Sequence, residues 1–529
     1  MADIASIIER HASRLAVPGV LSVRPGSHLV GDWLTDRPAI VVTVEPGAGA
    51  GAGLPRDLEG VPVDVRVASE AKRMQLADPE AYARVVGPTP DTGAVPEFAG
   101  ERRMVGAGIL APEGLGLDDG LDASLRDYST ARSSKTQLAY TPAPGVALTP
   151  IEGDATITLS ASPDSGWPTL EAFLTATETT LTVGLYDFTS SHVLTTVETV
   201  LAGREVKLVL DHPARNPTAD QSDEQTVAAL TAAFGSKFEQ AWALERSDPL
   251  ASAWIFPSAY HIKVAVRDHA AVWLSSGNWN NSNQPDIDPV ATPADAAEAR
   301  TRDRDWHVVV QSAELARVFE AYLLHDLSIA RAHNQRLLSE PLDTAFFPPL
   351  VQTPPFGGFT AALTISGSIR IDPLLTPDPG SYAHAVAELI ASATTSLHLQ
   401  FQYIELPKTP TAATQPFLDL VQAVIGRQKA GVEVKIIMSQ FETAGYLEQL
   451  QALGLDVVHD VKLQNNVHNK GIVVDGRSVL VSSQNWSSAG TLTNRDASVI
   501  LHSAEAAAYF DGLFLHDWEH LAARKTAVD

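Results

Sequence analysis

His261-Ile-Lys263-Val-Ala-Val-Arg-Asp268 is repeated later in the chain as His468-Asn-Lys470-Gly-Ile-Val-Val-Asp475, so that both stretches follow the pattern H-x-K-x4-D. Each copy then continues into a Ser-Ser-x-Asn-Trp turn. The asparagines of these turns, Asn278 and Asn485, each lie seventeen residues after their histidine (278 − 261 and 485 − 468). A single H-x-K is common by chance, but two copies that agree this far indicate a duplicated functional unit.

The duplication extends beyond these motifs. The stretch Gly203-Arg-Glu-Val-Lys207 matches Gly431-Val-Glu-Val-Lys435, and both copies alternate apolar strands with amphipathic helices. This alternation is typical of an α/β fold. We therefore predict two tandem α/β sandwich halves at residues 151–335 and 369–529, joined by a linker at 336–368.

The first 150 residues have no counterpart in the repeat. Residues 1–75 combine a helical start with β-rich runs such as Val61-Pro-Val-Asp-Val-Arg-Val67, which predicts a small α+β module. This module could serve packing or bind an unknown partner. Residues 76–150 are rich in Pro and Gly, which predicts a linker region.

Composition restricts the class of protein. The chain has 529 residues and a net charge of −25, opposite to the field of a non-specific nucleic-acid binder or of a protein that adsorbs to anionic membranes. It contains no cysteine, which excludes disulfides and thiolate chemistry. Neither a signal peptide nor a long apolar span is visible, so we predict a cytoplasmic protein without stable membrane insertion.

Strand geometry separates the residues of each motif. A spacing of two puts the histidine and the lysine on one face of a strand. Asp268 and Asp475 lie seven residues after their histidines, an odd offset that points them to the opposite face. We therefore interpret both aspartates as structural. Asn278 and Asn485 should lie on the next strand, where an amide N–H can reach a phosphoryl oxygen.

The paired motifs resemble those of the phospholipase D superfamily, over roughly residues 150–525. The resemblance implies that the two halves meet about a pseudo-twofold axis and share one site, so that a monomer suffices for activity. The implied catalytic residues are His261, Lys263, Asn278, His468, Lys470 and Asn485.

These residue types suit phosphoryl transfer without a metal or another cofactor. Two lysines and two amides can neutralise the non-bridging oxygens as charge develops. One imidazole attacks phosphorus and the other protonates the leaving oxygen. The resemblance favours His261 as the nucleophile and His468 as the acid and base. No histidine has the spacing of a known zinc motif.

Further residues are candidates for supporting roles. The resemblance implies that Asp305 and Asp496 orient the histidines, since each follows an arginine after its motif. His325-Asp326 and His516-Asp517 recur near helix ends, where packing is the more plausible role. The candidate substrate contacts are Ser276, Ser483, Trp279, Trp486, Tyr186 and Tyr403, although the tryptophans could instead simply pack beside the site.

The two copies differ in one loop. Arg304 follows Asn278 by 26 positions, whereas Arg495 follows Asn485 by only 10. The additional segment, Asn280 to Ala299, is rich in Asn, Asp and Pro. It must leave from the edge of the site, so we predict that it shapes substrate access.

Three functions remain open at this point. We favour a phosphodiesterase that hydrolyses phospholipid diesters or transfers their head group, because of the acidic charge and the two-copy chain. A nuclease is the alternative, favoured by the Ser-Ser-x-Asn-Trp turns and by Asn494-Arg495-Asp496. A non-catalytic binding protein, with the N-terminal module recruiting a partner, is the third.

Overall fold

The structure is a computed structural model. It describes residues 4–30, 33–45, 53–68, 136–137, 140–211, 220–248, 251–256, 259–334, 358–378, 381–407, 410–439 and 444–523. Most of the predicted linker at 76–150, and residues 336–357 of the predicted linker between the halves, lie outside these ranges.

The N-terminal module is an α+β unit. Its elements are α1 (Ile4–Arg10), α2 (Ala12–Leu15), β1 (Val20–Val30), β2 (Trp33–Val44), β3 (Asp57–Leu58) and β4 (Val61–Val67). The strands form a sheet in the order β1-β2-β4-β3. Ile7 and Ile8 of α1 are buried in one apolar cluster with Val23, Ile40 and Val42 of the sheet.

A short strand, β5 (Thr136–Gln137), precedes the first half. Its strands are β6 (Ile151–Ser162), β7 (Thr180–Leu185), β8 (Glu205–Leu210), β9 (Phe238–Trp242), β10 (Leu244–Asp248), β11 (Ala251–Trp254), β12 (Lys263–Arg267), β13 (Ala271–Ser275) and β14 (Asp305–Gln311). Its helices are α3 (Gly166–Thr175), α4 (Ser191–Val200), α5 (Asp223–Phe234), α6 (Ala296–Ala299) and α7 (Ala313–Asn334).

The second half repeats this order. Its strands are β15 (Leu363–Thr376), β16 (Ser396–Phe401), β17 (Ile404–Glu405), β18 (Glu433–Ser439), β19 (Val461–Gln464), β20 (Lys470–Val474), β21 (Ser478–Ser482), β22 (Trp486–Ser487) and β23 (Asp496–His502). Its helices are α8 (Ser381–Ala391), α9 (Gln415–Lys429), α10 (Ala444–Leu453), α11 (Val457–Asp460), α12 (Ser488–Leu492) and α13 (Ala504–His516).

One continuous sheet runs through both halves. In the described part of the chain it has fourteen strands, in the order β19-β18-β16-β20-β21-β23-β15-β6-β14-β13-β12-β7-β8-β9. Reading inward from β19 gives the strands of the second half in the same order as reading inward from β9 gives their counterparts in the first half. This is the pseudo-twofold symmetry expected of a duplication. The halves join where β15 pairs antiparallel with β6, from Leu363↔Leu159 to Ile371↔Ile151.

Strand β15 begins at Leu363, inside the segment predicted as a linker up to residue 368. The stretch Leu363-Thr-Ile-Ser-Gly-Ser368 has the polar, glycine-containing composition of a loop. It is nevertheless a strand, because β6 offers it a complete ladder and Ile365 is buried at 7% exposure. Pairing with a neighbouring strand here overrides the local propensity.

The sheet is covered on both sides. Helices α7 and α13 contribute to a central apolar core that contains residues of both halves, and Trp306 of the first half stacks on Phe510 of α13 at 4.7 Å. The outer helices close a separate core in each half. Because the central core is shared, the halves pack as one unit around the ends of β12 and β20.

The N-terminal module contacts the second half through ion pairs. Glu448 of α10 pairs with Arg24 of β1 and lies 3.3 Å from Nη2 of Arg66 on β4. The Arg66 side chain is fully buried and also pairs with Asp64 at 3.1 Å. A buried guanidinium with two carboxylate partners fixes the module in one orientation on α10. Separately, no helix within the described ranges is long and apolar enough to span a bilayer.

Candidate active site

The two H-x-K motifs lie at equivalent strand starts. Lys263 is the first residue of β12 and Lys470 is the first residue of β20, and each histidine lies two positions earlier. His261 and His468 are only 2% and 7% exposed, and both lysines are completely buried. The apolar β-branched residues that follow each lysine anchor these strands in the sheet, so the polar groups are held at its edge.

Each histidine is held by a carboxylate from the other half. Nδ1 of His261 lies 2.9 Å from Oδ1 of Asp496, and Nδ1 of His468 lies 3.0 Å from Oδ1 of Asp305. The crossing arises from two parallel β-bridges between the halves. One joins the backbones of Arg495 and Tyr260, and the other joins those of Arg304 and Val467. The Arg-Asp element of one half therefore runs beside the histidine of the other, and the two halves build a single site.

The two candidate contact serines are hydrogen-bonded to the aspartates. Ser276 donates to Asp305 at 2.6 Å, and Ser483 donates to Asp496 at 2.6 Å. Both serines are fully buried, and each also accepts a backbone N–H from the strand that carries the aspartate. Their hydroxyls thus hold the carboxylates, and substrate contact at Ser276 and Ser483 stays a prediction.

Burial governs the protonation of the histidines and lysines. Burial, followed by the nearby lysines, lowers the pKa of His261 well below 6.5 and that of His468 to about 4. Burial also lowers the pKa of Lys263 well below its ordinary value and that of Lys470 to about 7, although Asp305 and Asp496 oppose this. The site therefore holds less positive charge than its composition implies, and an anion bound there would raise these pKa values.

The two carboxylates respond differently to the same neighbours. Burial would raise the pKa of Asp305, but His468 and Lys470 outweigh it and hold this pKa at about 2. Burial raises the pKa of Asp496 above its ordinary value, against the lowering effect of Lys263. Because each carboxylate is hydrogen-bonded to an imidazole, each His–Asp pair titrates as a unit.

The signature asparagines are buried beside these groups, at 6% exposure for Asn278 and 1% for Asn485. The backbone N–H of Asn278 donates to Oδ1 of Asn283 at 2.9 Å. Its side-chain Oδ1 is buried without a hydrogen-bond partner among the described residues. In the second half, Gly490 of α12 packs directly on Asn485. A Cβ added to Gly490 would lie 2.2 Å from the backbone carbonyl oxygen of Asn485.

The tryptophans after the asparagines belong to the core. Both are 1% exposed. The ring of Trp279 meets Phe188 edge-on at 4.9 Å, whereas Trp486 stacks on Phe401 at 4.4 Å and donates to the Tyr382 hydroxyl at 3.1 Å. The turn sends each indole back into the apolar core of its own half. These contacts support the packing alternative for Trp279 and Trp486, and substrate contact by either ring stays a prediction.

The two tyrosine candidates differ. The half-buried ring of Tyr186 lies 5.0 Å from the ring of His261, and Nζ of Lys263 lies 5.5 Å from its centroid. Tyr186 therefore lines the site beside one histidine. Tyr403 is only 1% exposed, and its contact with substrate stays a prediction.

Asp268 and Asp475 lie at the opposite end of their strands from the histidines. Asp268 accepts backbone N–H groups from Glu178, Thr179 and Thr180 at 2.7–3.1 Å, and these bonds hold its pKa at about 2 although burial opposes them. Asp475 binds the equivalent backbone of Thr394–Ser396 in the same way. Each aspartate ties the turn after the motif strand to the start of the neighbouring strand, outside the site.

Sequence reasoning missed the role of two buried arginines. Arg304 pairs with Asp517 at 2.9 and 3.0 Å, and Arg495 pairs with Asp326 at 2.8 and 2.6 Å, so each pair crosses between the halves. The recurring His-Asp pair was the available signal, although its predicted place near a helix end holds for His516-Asp517 and is wrong for Asp326, which lies in the middle of α7. These fork-like pairs lock the segments that carry Asp305 and Asp496.

His307 was also missed. It is fully buried on β14, with Nδ1 2.6 Å from the Ser275 hydroxyl and Nε2 2.8 Å from that of Ser162. Ser275 in turn accepts the backbone N–H of Gly277. An isolated histidine on an apolar strand gives no sequence signal of this role. Separately, no group of three or more His, Asp or Glu within the described ranges is arranged to hold a metal ion.

Comparisons with known proteins agree with this architecture. Residues 386–518 match a family model described as "Cardiolipin synthase, PLD-like domain". The mitochondrial cardiolipin hydrolase of Danio rerio is 26% identical over 105 residues, which are 19% of this chain and 46% of that protein. The chain thus spans less than half the length of this curated relative.

Two solved structures align with this chain. Phosphatidylserine synthase from Haemophilus influenzae aligns with a TM-score of 0.45 and 14% identity, over 69% of this chain and 88% of that one. The phospholipase D family member Nuc from Salmonella typhimurium aligns with a TM-score of 0.24 and 21% identity, over 29% of this chain and 98% of that one.

The fold and the site together define an α/β protein in which two H-x-K halves share one buried site. The match at residues 386–518 identifies the second half as a phospholipase D-like domain.

Proposed function

We propose that this protein is a metal-independent phosphodiesterase that hydrolyses phospholipid diesters through a phosphohistidine intermediate. One observation carries the proposal: the crossed His–Asp pairs bring two imidazoles and two buried lysines into one site. With Nδ1 of each ring held by a carboxylate, Nε2 is the nitrogen left for chemistry. These hydrogen bonds favour the tautomer in which Nδ1 carries the proton.

In the first step Nε2 of His261 attacks phosphorus, and the bond from phosphorus to the alcohol oxygen breaks. His468 gives its proton to that oxygen. The anionic diester raises the pKa of His468 on binding, since a negative charge favours the imidazolium form. Lys263 and Lys470 gain their protons for the same reason and neutralise the non-bridging oxygens as the transition state forms.

In the second step the now neutral His468 removes a proton from water, which attacks phosphorus and releases His261. The products are the alcohol and a phosphomonoester. An alcohol in place of water would give head-group transfer by the same route. His261 is assigned the attack because the resemblance favours the histidine of the first half.

A phospholipid substrate is supported by two observations. The matching family model and the curated relative are both described by cardiolipin, a phospholipid diester. The net charge of −25 opposes the approach of a polyanionic nucleic acid. A nuclease is the outcome to be distinguished by experiment.

The test is release of the head group from phosphatidylcholine in mixed micelles with excess EDTA. We expect the wild-type protein to be active and the His468→Ala variant to be inactive. His384→Ala is the matched control, because this histidine is exposed on α8 with 75% of its side chain accessible. Cleavage of single- or double-stranded DNA without lipid hydrolysis would overturn the substrate assignment. Absence of turnover on both would favour a binding protein.

A further inference from the structure

The two histidines have different neighbours at one equivalent position. Asp303 precedes Arg304 in the first half, and Asn494 precedes Arg495 in the second. The backbone of Arg304 is hydrogen-bonded to Asn466 and His468, so Asp303 lies on the His468 side of the site. Arg495 is hydrogen-bonded to Ala259 in the same way, so Asn494 lies on the His261 side. A carboxylate thus accompanies one histidine and a neutral amide the other.

The insertion in the first half holds this carboxylate in place. Oδ2 of Asp303 accepts from the Ser282 hydroxyl and, at 2.9 Å, from Nδ2 of Asn283. Among the described residues, its Oδ1 has no hydrogen-bond partner. The charged groups that act on Asp303 are Asp305, Lys470 and Arg302. One oriented carboxylate oxygen is therefore left available beside the acid and base of the proposed reaction.

We propose that Asp303 makes the site selective for phosphodiesters whose departing alcohol carries a positive charge. This inference rests on the proposed function, in which His468 protonates the departing alcohol. A carboxylate on that side attracts an ammonium group and repels an anionic alcohol. Asn494, on the side of the attacking histidine, adds no charge and fits the neutral diacylglycerol portion of the substrate. The insertion from Asn280 to Ala299 is then a specificity element, because it supplies the residues that orient Asp303.

The preference should depend on pH. Burial, followed by the charge of Asp305, raises the pKa of Asp303 to about 7. The ionised fraction, and with it the preference for a cationic alcohol, should therefore rise as the pH increases through 7. The pKa of Lys470 is also about 7, but its titration affects all substrates and cancels in a ratio between two of them.

The experiment compares kcat/KM for phosphatidylcholine with kcat/KM for phosphatidylglycerol in matched micelles. Wild type should prefer the choline lipid, and Asp303→Asn should reduce this preference by at least about tenfold and remove its rise with pH. Asp286→Asn, in an exposed part of the same insertion, should leave the ratio unchanged. An equal loss on both lipids, or an unchanged ratio, would overturn the inference. A wild-type protein that hydrolyses neither lipid would instead overturn the proposed function.

Discussion

The two halves of this protein place the same functional atoms by different means. In the first half the turn at Asn278 is fastened by Asn283 from the insertion, whereas in the second half Gly490 of α12 packs directly on Asn485. His307 bonds Ser275 in the first half. In the second half Ser482 donates instead to Oε1 of Gln484 at 2.7 Å.

The buried arginines show the same contrast. Arg495 lies 4.6 Å from the ring centroid of Phe256 and 5.0 Å from that of Tyr140. Asp517, the partner of Arg304, instead accepts from Gln400 at 2.9 Å. The residues of the reaction are thus duplicated, and the residues that support them have diverged. The proposed chemistry therefore requires particular residues at the site, whereas different side chains can hold those residues in place.

The largest expected effect on the rate comes from replacing one of the two histidines. His468→Ala should lower kcat by about 10⁴-fold or more, because it removes both the acid and the base. It should still form the phosphohistidine slowly, and a substrate labelled in its lipid portion should leave the labelled phosphatidyl group on His261. Label found on His468 in the complementary His261→Ala variant would reverse the assignment of roles, and with it the position of the alcohol beside Asp303.

The next effect concerns the arginines. Asp326→Ala leaves Arg495 buried without its main partner, which should destabilise the protein by about 3–5 kcal/mol. Each arginine would keep a second carboxylate, Asp164 for Arg304 and Asp378 for Arg495. Asp517→Ala should nevertheless cost less, because Arg495 also lies against the rings of Phe256 and Tyr140, which keep water from its unpaired charge. Denaturant titration of both variants tests this order. Equal losses would show that the halves are supported equally.

Acid should destabilise the first half through His307. Burial lowers the pKa of His307 to about 4, whereas the unfolded chain has the ordinary value near 6.5. The folded state binds fewer protons between these values, so stability is complete above pH 6.5 and is lost as the pH falls towards 4, by up to about 3 kcal/mol. His307→Gln should flatten this part of the stability curve. An unchanged slope would assign the acid sensitivity to other groups.

The orienting carboxylates should give a smaller effect on rate. Asp496→Asn and Asp305→Asn each remove the charge that fixes an imidazole, which should lower kcat by about 10²-fold or more. Because the pairs are crossed, Asp496→Asn should impair the attack by His261, and Asp305→Asn the proton transfer by His468. Single-turnover kinetics separates these steps. A loss in the same step for both variants would contradict the crossed assignment.

The sequence predicted the α/β halves because periodicity and duplication are properties of the local chain. It also singled out the histidines, lysines and asparagines that the structure brings together. It could not predict that Trp279 and Trp486 turn into the core. The sequence of a turn does not show whether the side chain that follows it points into the core or towards the site. Nor could it show that Ser276 and Ser483 bind the carboxylates, because each carboxylate lies on another strand, 29 residues away in one half and 13 in the other.

The crossed pairing also has a consequence for synthesis of the protein. His261 is translated 235 residues before Asp496, the carboxylate that orients it. A nascent chain with a folded first half would therefore carry an unoriented histidine and only half of the phosphate-binding groups. By the proposed mechanism the reaction can begin only after both halves have left the ribosome, so the site would be inactive while the second half is being made.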